Sequence, residues 1–118
     1  MEVNEAIIAF SQSEKVKAGL IWVSQSLELL NGLSEIEKKA SDRIINALLN
    51  MIGQETKLAR TLVGNKVWDE IQAYIDKALV MVNSGVSQES QIHLSKALSK
   101  TTNVGQASMS FLQEQGLI

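Results

Sequence analysis

Few side chains in this sequence are able to do chemistry at neutral pH, and their types favour binding over catalysis. There is no cysteine and a single histidine, His93. Disulfides, thiolate metal sites, cysteine nucleophiles and two-histidine ligation are thereby excluded, and a single histidine argues against a carboxylate-bridged metal site, which needs a Glu-x-x-His on each of two helices. Glu35, Glu37, Asp69 and Glu70 fall at expected helix starts, where a carboxylate offsets the helix dipole without any catalytic role. No phosphate loop, nucleophile elbow or metal motif occurs, so no enzyme, cofactor or metal chemistry is expected. The polar groups suited to recognition gather in the C-terminal third as Lys96, Lys100, Thr101, Thr102, Asn103, Gln106 and Ser110. Asn and Gln amides match the adenine edge in a major groove, hydroxyls hold phosphate oxygens, and lysines neutralise phosphates.

The elements that would position these residues are helical. The 118 residues include no proline and only 4% aromatics, which disfavours sheets and leaves helices unpunctuated. Val16, Leu20, Val23, Leu27 and Leu30 form one apolar stripe. Val3, Ile7 and Phe10 extend it upstream, while Ser11-Gln12-Ser13-Glu14 reads as a capping box able to restart a helix. Segment 3–31 is thus one long helix or two, ended by Asn31-Gly32. Ser34-Glu35-Ile36-Glu37 caps the next helix, whose expected core stripe is Ile36, Ala40, Ile44, Leu48 and Met51, with a kink or break at Gly53. Residues 1–64 then make an antiparallel hairpin. Asn65 caps a third helix carrying Val67, Trp68, Ile71, Ile75, Leu79 and Val82, which stops at Asn83-Ser84-Gly85. Trp22 and Trp68 are read as core or interface anchors.

Residues 87–118 have eight Ser/Thr and five Gln but only four charged residues. Ser99 to Gly105 is nearly all weak helix formers, so a continuous helix there sacrifices about 3 kcal/mol of intrinsic preference. A break is expected, with Ser90 capping a short helix through Leu98 and Thr102 or Asn103 capping a second that ends at Gly116. Ser90-Gln91-Ile92-His93-Leu94-Ser95-Lys96-Ala97-Leu98 followed by Leu112-Gln113-Glu114-Gln115-Gly116-Leu117-Ile118 resembles the reader of MarR-type winged-helix regulators. The resemblance covers about residues 79–118 and lacks the wing. It implies a helix-turn-helix whose second helix presents Thr102, Asn103, Gln106 and Ser110 to DNA, with Lys96 and Lys100 on phosphates. The residues packing beneath would be Leu79, Val82, Leu94, Leu98, Met109 and Leu112. Gly105 and Ser108 stand where such recognition helices usually bury larger apolar residues, and the segment has no arginine.

The expected architecture is therefore an all-α single domain over 1–118: a long N-terminal hairpin (1–64), suited to a homodimer contact, and a helix-turn-helix-like three-helix unit (65–118). The function implied is a small DNA-binding regulator. The alternative is a non-enzymatic four-helix bundle acting as a protein-interaction module, with 90–118 as a plain fourth helix. Unbroken i to i−4 hydrogen bonding across Ser99–Gly105 is what separates the two. A remoter alternative comes from His93-Leu94-Ser95-Lys96-Ala97, which resembles the His-x-x-Lys-Gly/Ala core of histidine phosphotransfer domains. The net charge of −2 argues against a polybasic tail. Segmentally, 1–33 carry −2, 34–64 +1, 65–86 −1 and 87–118 zero, so the acidic excess lies away from the candidate reader. No apolar run approaches the roughly 18 to 20 residues of a membrane span, and the acidic start, Met1-Glu2-Val3-Asn4-Glu5, is unlike a signal peptide. A cytoplasmic location is the expectation.

Overall fold

A computed structural model describes all 118 residues. It holds four α-helices and no strand: α1 (Val3–Leu29), α2 (Glu35–Val63), α3 (Val67–Asn83) and α4 (Ser90–Glu114). Their connections are short, so consecutive helices run antiparallel. Each lies against its chain neighbours, and α4 closes the ring by packing along α1 in the most extensive seam. The resulting rod measures 53 × 22 × 18 Å. No helix is long and apolar enough to cross a membrane.

The inward positions alternate steps of three and four, the spacing of bundles packed knobs-into-holes. On α1 they are Ala6, Ala9, Ser13, Val16, Leu20, Val23 and Leu27; on α3 they are Trp68, Ile71, Ile75, Ala78 and Val82. From Val16 to Leu27 the α1 stripe is the one its sequence period predicts, but upstream the core takes Ala6, Ala9 and Ser13 and leaves the expected Val3 and Ile7 exposed. The helix runs unbroken through Ser11–Glu14. Instead of restarting a helix, Ser13 Oγ donates to the Phe10 carbonyl at 2.8 Å.

The second helix departs from expectation. Its buried residues are Ile45, Leu49, Ile52, Gly53, Thr56 and Ala59, while Ile36, Ile44 and Met51 are 84%, 64% and 60% exposed. The helix carries two overlapping apolar stripes, and the core takes the one with the smaller side chains. Nor does Gly53 break it. That glycine is buried where a Cβ would lie 3.1 Å from the Gln72 amide nitrogen, so its lack of a side chain admits α3. Thr56 Oγ1 donates to the Gly53 carbonyl at 2.8 Å and also meets Gln72 Oε1.

Of the caps read from sequence, those at Ser34 and Asn65 form, whereas Ser90 is the first residue of α4 and its hydroxyl donates to the Ser87 carbonyl instead of capping. At the start of α2, Glu37 N–H donates to Ser34 Oγ (3.2 Å) and Ser34 N–H donates to the Glu37 carboxylate (3.1 Å), a reciprocal capping box. Val67 N–H donates to Asn65 Oδ1 (2.9 Å) before α3. Ser34→Ala is expected to lower unfolding free energy by about 1 kcal/mol, measurable by urea denaturation; no change would mean that the first turn of α2 frays already.

The C-terminal segment holds the main correction. Where two helices and a turn were expected, residues 90–114 form one α-helix, continuous through Ser99–Gly105. The three-helix unit expected over 65–118 is thus two helices. Packing overrides propensity here: Ala97, Thr101, Gly105 and Ser108 are all buried, and Gly105 brings α4 close enough that a Cβ would sit 2.9 Å from Ser13 Oγ. The buried hydroxyls are satisfied inside the helix, Thr101 donating to the Ala97 carbonyl (2.7 Å) and Ser108 to that of Val104 (2.8 Å). Gly116, at φ 73°, then ends the run as expected, with Leu117 N–H returning to the Leu112 carbonyl.

Candidate functional site

Without a turn, the residues expected to read DNA are spread along one straight helix. Thr101 is fully buried in the core, and Thr102 is half-buried. Lys100 Nζ lies 2.9 Å from Glu70 Oε2, and this hydrogen bond and charge hold its ammonium pKa above the usual value. Lys96 shares the Tyr74 ring with Lys77, their nitrogens 5.9 and 5.1 Å from its centroid. Asn103, Gln106 and Ser110 are exposed and, at steps of three and four, do lie on one outer stripe of α4. The structure therefore brings together three neutral polar groups, removes one hydroxyl to the core and commits one of the two cations to an ion pair.

Clefts flank that helix. One of about 500 Å³ between α1 and α4 is lined by Phe10, Ser13, Glu14, Lys17, Gln106 and Met109, among others. Its two charged groups, Glu14 and Lys17, pair with each other at 2.9 Å. No group of three or more His, Asp or Glu side chains is placed to hold a metal ion. His93 is half-buried on α4, and its Nδ1 has no hydrogen-bond partner within the protein.

The surface that sequence periodicity misassigned is on α1 and α2. Trp22 is 68% exposed and shares a groove of about 330 Å³ with Gly19 and Val23 of α1 and Leu48, Met51 and Ile52 of α2. Gly19 shapes its floor: a Cβ there would lie 2.9 Å from Ile52 Cγ1, so the two helices approach closely and leave Trp22 standing above the crossing. Ile44 and Leu58, one heptad before and after Met51, are also exposed, as are Ala40 and the intervening Ala47 and Gln54. Leu62 and, on α1, Leu29 add to the same outer face. The legible signal was the seven-residue repeat Ile44, Met51, Leu58; its solvent orientation was not, because a second stripe one residue along is apolar too.

Charge around the groove is unevenly committed. Lys15 Nζ lies 3.5 Å from Glu55 Oε2, and Gln12 donates to the same carboxylate oxygen at 3.0 Å. The Gln12 hydrogen bond is the main cause holding the Glu55 pKa below its ordinary 4.5, with burial opposing and Lys15 assisting. Arg43 and Lys57 on the opposite flank of the stripe enter none of the five ion pairs.

Two carboxyls with lowered pKa make stability pH-dependent. Glu37, held low by its hydrogen bonds with Ser34, and Glu55 both bind protons more readily in the unfolded chain. Their contribution is therefore present above the unfolded value near 4.5 and is lost as pH falls through the folded values. Thermal midpoints are expected to drop on acidification from about pH 5 to pH 3, and Glu37→Gln with Glu55→Gln should flatten that slope; an unchanged slope would show the two groups to be uncoupled from folding.

Comparison of the chain with protein-family models, with curated proteins and with solved structures found no match.

Proposed function

We propose that this chain is a non-enzymatic interaction module, a four-helix bundle that binds a protein through the outer face of α1 and α2. One observation carries the reading: a 29-residue helix presents Ile44, Met51 and Leu58 to solvent in heptad register beside an exposed tryptophan. Scattered apolar residues on a surface need no explanation, but a contiguous stripe of them with an aromatic anchor is the composition of an interface core. The N-terminal hairpin, expected to supply a homodimer contact, supplies in this reading a protein contact through Trp22, read from sequence as a core or interface anchor, and through the α2 stripe expected in the core.

The nucleic-acid reading has less to stand on. Phosphate neutralisation dominates affinity for DNA, and α4 offers Lys96 and an ion-paired Lys100. No salt-dependent mobility shift is expected on duplex or single-stranded DNA at low salt. A shift weakened by Lys96→Ala with Lys100→Ala would favour nucleic acid over a protein partner.

The interaction reading is tested by a photo-crosslinking amino acid placed at Met51, with a control at Gln106 on α4, in the cell that makes the protein. A discrete adduct from position 51, absent from 106 and lost on Trp22→Ser, is expected whether the adduct is with another protein or with a second copy. Absence of any position-dependent adduct defeats the reading.

A further inference from the structure

The interaction reading leaves open what covers the face, and the charges flanking it narrow the choice. The exposed stripe repeats every seven residues through Ile44, Met51 and Leu58, with Ala47 and Gln54 exposed between them and Ala40 exposed just before. An apolar seam of period 3.5 is matched by another helix lying along it, and from Ala40 to Leu62 it runs for roughly 30 Å at 1.5 Å per residue. One flank of the seam is formed by Arg43, Asn50 and Lys57, themselves a heptad apart. Arg43 borders a cleft with Asn83 of α3, which places this flank on the side away from α1. Neither cation has an ion-pair partner. On the α1 flank, Glu55 already pairs with Lys15.

A second copy of the chain fits this pattern poorly. A two-fold contact presents the same patch twice. Antiparallel pairing about the middle of α2 would set Arg43 of one copy against Lys57 of the other. Parallel pairing would set the same cations over Leu48 and Leu62. The first is repulsive, and the second gives the cations no carboxylate to pair with, so neither complements them as an acidic flank would.

Resting on the interaction reading, we infer that the occupant is an amphipathic helix of another protein, with an apolar heptad seam on α2 and Asp or Glu on the flank that meets Arg43 and Lys57. Its bulkiest side chain enters the groove between Trp22 and Met51. The acidic flank fixes its orientation across the seam, since reversing sides would bring those carboxylates to Glu55.

The test uses the whole chain and a displayed library of helices about three heptads long, with Leu, Ile or Ala at seam positions and Glu, Gln or Lys at the flanks. Selected helices are expected to carry Glu opposite Arg43 and Lys57. They should lose about tenfold in affinity to Arg43→Glu with Lys57→Glu, a variant that should in turn favour Lys-flanked helices. Met51→Glu, at an exposed position, should abolish binding while the thermal midpoint stays near that of the parent. Selection of neutral or basic flanks, or no binder sensitive to Met51→Glu, overturns the inference. Sedimentation of the chain alone gives the remaining arm: a reversible dimer abolished by Met51→Glu would make the occupant a second copy and overturn the acidic-helix inference, while leaving the interaction reading intact. Failure of the crosslink at position 51, by contrast, would remove the reading itself.

Discussion

Trp68→Ala is expected to lower unfolding free energy by about 3–5 kcal/mol, a large part of the roughly 5–15 kcal/mol available to a domain. At about 4 °C per kcal/mol for a chain of this size, the thermal midpoint should fall by roughly 12–20 °C. The indole is 1% exposed and belongs to the cluster that joins all four helices, so its removal opens a cavity that no single helix can close. Trp68→Phe should cost only about 1–2 kcal/mol, because the indole Nε1–H is buried without an acceptor in the protein and phenylalanine carries no such donor. Fluorescence provides the measurement. In a Trp22→Phe background the sole emitter is buried Trp68, and its blue-shifted emission should move red in one cooperative step on urea unfolding. A shallow or biphasic transition, or a cost for Trp68→Ala below about 1 kcal/mol, would mean that the core is not organised around this ring.

The second large effect concerns Gly105. In an exposed helix interior, replacing glycine by a larger residue stabilises by up to about 1 kcal/mol. Here the sign reverses. A Cβ would lie 2.9 Å from Ser13 Oγ and 3.7 Å from Ser13 Cβ, and the hydroxyl cannot swing aside without giving up its bond to the Phe10 carbonyl. Gly105→Leu is expected to cost about 3 kcal/mol by forcing α4 off α1, the upper range for overpacking a filled seam. Gly105→Ala should be mildly destabilising, and Ser13→Gly should relieve it, giving a coupling of about 1 kcal/mol in a double-mutant cycle. Additive effects, or a stabilising Gly105→Leu, would show that residues 99–105 do not pack against α1 as a continuous helix.

These two residues also show where sequence reading succeeds and fails. Helix-forming patterns around Trp68 were legible because α3 has a single apolar stripe between an Asn cap and an Asn-Ser-Gly stop, so period and punctuation agree. The Ser34 box on α2 was legible for the same reason: its chemistry is local. In α2 itself, Ile44 and Ile45, Leu48 and Leu49, and Met51 and Ile52 are adjacent apolar pairs. Period alone gives two equally good faces there, and only the neighbours decide which is covered. In α4 the propensity of Ser99–Gly105 argues for a turn, but propensity counts only what a residue loses alone. The compensation, small side chains admitting close approach between two helices at opposite ends of the chain, becomes visible only once Ser13 and Gly105 are in contact. The candidate site was mislocated by the same two effects, since α4 lost its expected turn and the exposed half of α2 was assigned to the core.

The order in which the helices meet has a kinetic consequence. Three of the four seams join consecutive helices across connections of residues 30–34, 64–66 and 84–89, and closing such short loops is fast. The α1–α4 seam alone joins the two ends of the chain, so its formation is the step that bears the largest loop-closure entropy. Around Ser13 most of the residues that must meet there are small, Ala6, Ala9 and Ser13 with Thr101, Gly105 and Ser108, and they release little free energy until they are closely packed. Substitutions in the α2–α3 pairing are accordingly expected to change mainly the folding rate, and those at Ser13, Gly105 and Ser108 mainly the unfolding rate. The weakest-gripping stretch of the bundle would thus be the last to assemble and the first to part.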